Sequence, residues 1–132
     1  MRNQSDATSP LGSARIVAFV ATADPARAKT FYRDTFALRL VSEDPFALIF
    51  EAHGTTLRVS TVKSVSKAEY TVLGWEVPNV AATAEALRDR GMRFERYPGM
   101  RQDDLGIWNS PSGAKVAWFK DPDGNTLGIS QG

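Results

Sequence analysis

A seven-residue pattern stands twice in this 132-residue chain and sets the terms for any fold it can adopt. Gly54-Thr55-Thr56-Leu57-Arg58-Val59-Ser60 returns 70 positions on as Gly124-Asn125-Thr126-Leu127-Gly128-Ile129-Ser130. Upstream, Tyr32-Arg33-Asp34 pairs with Leu87-Arg88-Asp89, 55 positions on, and Asp24 and Asn79 stand at that same spacing. Both are residue types that cap helices. Such a repeat means one supersecondary unit used twice, each copy burying its apolar face with help from the other. Units this short have marginal cores alone. The growth of the spacing from 55 to 70 puts an insertion in the second copy, between Gly91 and Val116.

Each copy reads as a strand, a helix and three more strands. Arg15–Ala21 is an apolar run suited to a buried strand. Asp24-Pro25 starts a helix, with a capping carboxylate followed by proline at the first helical position. Ala28, Phe31, Tyr32 and Phe36 then recur at helical spacing. Ala37–Ser42, Phe46–Ala52 and Thr55–Thr61 are the remaining predicted strands of this copy, with a tight turn at His53-Gly54. In the second copy Tyr70–Val77 is the strand, and Asn79 caps a helix whose apolar side holds Val80, Ala84 and Leu87. Gly91 stops that helix. Strands are predicted over Met92–Arg96 and Gly106–Asn109, with the loop Tyr97–Leu105 between them. Val116–Phe119 and Thr126–Ser130 form the closing hairpin around Asp121-Pro122-Asp123-Gly124-Asn125, where proline presets φ and Gly124 accepts a positive φ. The expected organisation is a flexible tail over residues 1–13, a first unit over 14–61, a connector over 62–69 and a second unit over 70–132.

Basic and acidic residues nearly balance, 16 to 15, and are interleaved, which excludes a nucleic-acid stripe or a polybasic membrane anchor. No apolar run approaches the roughly 18 residues of a membrane span. Met1–Ser13 lacks the apolar region of a signal peptide. The expectation is a cytoplasmic protein with neither a nucleic-acid nor a membrane partner. There is no cysteine, so disulfide and thiol chemistry are excluded.

The closing hairpin, Phe119-Lys120-Asp121-Pro122-Asp123-Gly124-Asn125 followed by an alternating strand, resembles that of the glyoxalase/bleomycin-resistance/dioxygenase family, the vicinal oxygen chelate superfamily. The internal repeat fits that family's two modules, and the resemblance covers nearly all of Ala14–Gln131. It implies an α+β fold of two tandem βαβββ modules, forming an open barrel-like mixed sheet around a shared cavity, and a homodimer. In that family a metal is commonly held by His or Gln from the first strand and Glu from the fourth strand of each module. Here those positions fall on Val17, Val72, Arg58 and Gly128, none of which ligates through its side chain. The expectation is therefore no metal and no cofactor. The lone histidine, His53, sits at a predicted turn without a second nitrogen or sulfur ligand.

Strand alternation assigns residues to the concave face. Its expected ligand-binding residues are Phe19, Ile49, Arg58, Glu76 and Trp118, with Phe19 and Trp118 as an aromatic wall. Trp75 falls on the opposite, helix-facing side. Arg58 and Glu76 read first as an ion pair between the halves, next as ligand contacts with Arg58 gripping a carboxylate or phosphate, and last with Glu76 as the candidate catalytic acid or base. Trp108 and Tyr97 flank the insertion as lid or dimer-contact residues. The favoured function is small-molecule binding without a metal, sequestering an aromatic or anionic ligand. The alternative is a lyase, isomerase or dioxygenase-type enzyme of the same superfamily, using Glu76 or a metal site elsewhere.

Overall fold

The computed structural model describes residues 10–132. Of the tail expected over residues 1–13, residues 1–9 lie outside the described residues, and 10–13 are exposed. The architecture is α+β, two copies of βαβββ. The first holds β1 (Val17–Thr22), α1 (Pro25–Thr30), β2 (Arg39–Glu43), β3 (Ala47–Ala52) and β4 (Thr55–Thr61). The second holds β5 (Leu73–Glu76), α2 (Val80–Asp89), β6 (Trp108–Asn109), β7 (Lys115–Lys120) and β8 (Thr126–Gln131). Strand order is β1-β4-β3-β2 in one sheet and β5-β8-β7-β6 in the other. In each sheet the first and last strands of the module run parallel and the other pairs antiparallel.

The helix starts follow from their caps. The Asp24 carboxylate accepts from the Arg27 N–H at 3.1 Å, and Pro25 occupies the first turn. The Asn79 side-chain oxygen accepts from Ala82 N–H at 3.1 Å. After Thr30 the first helix widens into a π-helical turn, Phe31–Thr35, closed by Phe36 N–H donating to the Phe31 carbonyl. Ala37 then takes a positive φ of 59° and ends the helix. That turn delivers Phe31, Tyr32 and Phe36 to the interior, where Phe36 meets both Trp75 and Phe119 edge-on at 5.2 and 5.6 Å. The two modules share one core: Val20, Tyr32, Phe50 and Val59 from the first, and Val80, Ala84, Phe119 and Leu127 from the second.

The Asp121–Asn125 turn fastens the modules together. Tyr32 Oη, fully buried, donates to Asp121 Oδ2 at 2.7 Å. Asn125 Nδ2 donates to the Ala21 carbonyl and to Asp121 Oδ2, both at 2.8 Å. Ala23 N–H donates to Asp123 Oδ1 at 2.9 Å. Burial, then the adjacent Asp121 carboxylate, pushes the Tyr32 phenol far above its ordinary range, so it stays a donor. At the helix ends, Arg90 Nη1 donates to the Asp34 and Thr35 carbonyls.

Three strand expectations of the second module need correction, the first being Tyr70–Val77, of which only Leu73–Glu76 is strand. Met92–Arg96 is not a strand; its single ladder contact is a bridge from Phe94 to Phe119. The Gly106–Asn109 strand shrinks to Trp108–Asn109. The cause of these last two is the Gln102 side chain, which donates from Nε2 to the Glu95 and Gly106 carbonyls and accepts at Oε1 from Tyr97 N–H. A side-chain amide thus satisfies backbone groups that a fuller ladder would otherwise pair.

Candidate functional site

Each sheet turns one face to the helices and leaves the other open. On the helix side Leu48, Phe50, Leu57, Val59, Ala117, Phe119, Leu127 and Ile129 are buried. On the open side Phe19 is 60% exposed, Val17 42% and Val72 38%. This is the alternation expected of a half-buried sheet. The register sets Phe19, Arg58 and Ile49 side by side across β1, β4 and β3. The matching row of the other sheet is Gly74, Gly128 and Trp118, across β5, β8 and β7. So Phe19, Arg58 and Ile49 share one row and Trp118 lies in the matching row of the other sheet, and these expected face residues do not form one cluster.

Phe19 has no ring partner among the described residues; the expected wall of Phe19 with Trp118 is not formed. Trp118 instead meets Tyr97 edge-on at 5.6 Å and 81°, and Trp108 at 6.0 Å. Its indole Nε1 donates to Thr71 Oγ1 at 3.0 Å. A Cβ on Gly128 would meet Trp118 Cδ1 at 3.5 Å and Thr71 Cγ2 at 3.6 Å, so Gly128 leaves ordinary contact room beside the indole. Beside the indole is a hollow of about 230 Å³, lined by Trp118, Tyr97, Tyr70, Met100, Thr71, Thr126 and Glu69. Tyr97 is held by the Gln102 hydrogen bond to its N–H, and Met100 N–H donates to the Tyr97 carbonyl. The residues flanking the insertion are therefore part of the aromatic site. Their contact with Trp118 crosses sheet and loop, so no local pattern reveals it.

Arg58 and Glu76 form no ion pair with each other, and neither has a hydrogen-bond or ion-pair partner among the described residues. Their rows differ, since Arg58 pairs with Phe19 and Ile49 while Glu76 pairs with Ser130 at the end of β5. Glu76 is exposed and borders a different cavity, about 200 Å³, lined also by Phe36, Leu38, Trp75, Val77 and Phe119. Both modules line that space, but on the helix side of the second sheet, not the open face expected for the shared cavity. Trp75 belongs there, half-buried against Phe36.

The residues at the family's ligand positions do not fit a metal. Val17, Arg58, Val72 and Gly128 offer no side-chain donor suited to a divalent ion. Among the described residues there is no group of three or more His, Cys, Asp or Glu able to hold one. His53 is exposed in the β3–β4 turn at φ 48°. No helix among the described residues is long and apolar enough to cross a membrane.

Comparison with characterised proteins by sequence gave no match. Solved structures share the fold. A lactoylglutathione lyase from Agrobacterium tumefaciens superposes with a TM-score of 0.71 at 18% identity, over 91% of this chain and 94% of that one. The fosfomycin resistance protein FosX from Listeria monocytogenes gives 0.70 at 14% identity, over 91% and 93%. The antibiotic binding protein TnmS3 from Streptomyces sp. CB03234 gives 0.64 at 24% identity, over 90% and 95%. These likenesses span a lyase, a resistance protein and an antibiotic binding protein, so they fix the architecture and not the activity. The sequence profile of one family matches residues 14–129, nearly the whole described chain. The chain belongs to the Glyoxalase/Bleomycin resistance protein/Dioxygenase superfamily.

Proposed function

We propose that the protein binds a small aromatic molecule on the open face of its sheets, without a metal and without chemistry. One observation carries this reading: the metal-ligand positions hold Val17, Arg58, Val72 and Gly128, while the same face presents an aromatic hollow at Trp118. A concave site with aromatic walls and few polar groups suits a small ligand. The row Phe19, Arg58 and Ile49 offers a second contact area, in which the unpaired Arg58 guanidinium would take a carboxylate or phosphate. An acid–base role for Glu76 lacks such support, because the carboxylate is exposed and has no polar partner among the described residues. A homodimer is part of the same reading, since Phe19, Val17 and Val72 expose apolar surface on this face.

The test is a tryptophan-fluorescence screen of an aromatic small-molecule panel against the wild type and Trp118→Leu, before and after dialysis against a chelator. A saturable change in the wild type, unaffected by the chelator and absent in the variant, is the expected result. Binding that requires a divalent ion, or turnover of a bound compound, would refute the reading.

A further inference from the structure

The hollow beside Trp118 has a chemical character of its own, which resting on the binding reading narrows to a ligand class. Trp118 and Tyr97 pack edge-on at 81° and 5.6 Å, so the edge of one ring and the face of the other form a corner. Tyr70, 72% exposed, lines the same hollow at its mouth, and Met100 adds a polarisable sulfur. The indole N–H is already donated to Thr71 Oγ1, so Trp118 offers its π surface rather than a polar donor. Thr126 Oγ1, likewise, donates to the Ala68 carbonyl at 3.1 Å. Glu69 is the one charged residue in the lining, and it has no ion-pair or hydrogen-bond partner among the described residues. Lys67, the nearest lysine in sequence, lies along the Gly124 turn and is not part of the lining. Ring faces carry negative quadrupole potential, and a carboxylate at the rim adds to it.

We propose that this hollow is an aromatic cage for an organic cation, an alkylated or quaternary ammonium group seated between Trp118, Tyr97 and Tyr70 with Glu69 at its edge. Such a group is weakly hydrated and cannot donate strong hydrogen bonds, so it gains from ring faces what it loses in water. An anion would meet Glu69 and find no positively charged side chain in the lining.

Three probes of nearly equal shape test this: choline, neutral 3,3-dimethylbutan-1-ol and anionic 3,3-dimethylbutanoate. Each is titrated into the intact protein while the Trp118 indole resonance is followed. Choline is expected to bind about tenfold more tightly than the alcohol, and the anion more weakly still. Glu69→Gln should weaken choline severalfold and leave the alcohol unchanged; Tyr70→Ala should weaken choline without altering the thermal midpoint. Equal affinity for alcohol and choline, or tighter binding of the anion, would overturn the cage while leaving aromatic binding at Trp118 intact. If none of the three moves Trp118 but another aromatic compound does, the cage alone is wrong. If no compound of any kind moves Trp118, both the cage and the binding reading fall.

Discussion

Tyr32 and Asp121 contribute to the join between the modules a 2.7 Å hydrogen bond between a buried phenol and a carboxylate, beside those of Asn125, Asp123 and Arg90. Hydrogen bonds to charged groups contribute about 1.5–3 kcal/mol, so Tyr32→Phe should lower stability by roughly that amount, read from the urea midpoint. The pH dependence has a definite sign. The folded-state pKa of Tyr32 is raised, so its contribution is fully present below the unfolded phenol's pKa of about 10 and is lost as pH rises beyond it. Stability of the wild type should fall in alkaline solution above that point, and Tyr32→Phe should fall less steeply. At the site, Trp118→Ala should weaken an aromatic ligand more than about tenfold, with ring stacking and lost area acting together. Trp75→Ala should instead cost about 3 kcal/mol of stability by leaving a void beside Phe36. If Trp75→Ala removes binding and Trp118→Ala does not, the ligand sits on the helix side. Alternation along β5 and β7 was enough to read the opposite placement of these two tryptophans from sequence. It said nothing of Thr71 or Tyr97, whose contacts with Trp118 are long-range.

At the scale of elements, signals confined to a few neighbouring residues were legible. Asp24-Pro25 and Asn79 start the two helices, and Gly91, at φ 92°, marks the end of the second. The repeat at Gly54 and Gly124 located β4 and β8. The segment 92–109 was not legible, because its shape depends on one amide in mid-loop. Gln102 satisfies three backbone groups at 2.8–2.9 Å, and a lone glutamine in a polar loop has no sequence signature for that role. Gln102→Ala should leave the two helices intact but free the Tyr97 and Met100 backbone. Hydrogen exchange at the Tyr97 amide is expected to accelerate by about tenfold or more, since a lost bond of about 1–2 kcal/mol opens the loop locally. Ligand affinity should drop in parallel through the Tyr97 ring. An unchanged exchange rate would mean that the loop is held by other contacts.

For the whole molecule, one core serves both modules, and the open faces of both sheets are left to do something other than fold the chain. The repeat carried the two-module architecture because each unit is too short to be stable alone. It did not carry the hollow on the helix side, which depends on how Phe36 and Leu38 approach Trp75 and Phe119 across the module boundary. Elemental analysis of purified protein should find no stoichiometric divalent ion; about one ion per chain, lost on substituting Val17, Arg58 or Val72, would reverse the reading of those positions. The central claim is metal-independent binding at Trp118 on the open face, and the three tryptophans make it directly observable. In chelator-treated protein labelled with nitrogen-15, each indole N–H should give its own resonance. On addition of a bound aromatic compound, the Trp118 and Trp108 indoles should shift together while Trp75 stays in place. A shift confined to Trp75 would put the ligand in the helix-side cavity bordered by Glu76, and would contradict the account.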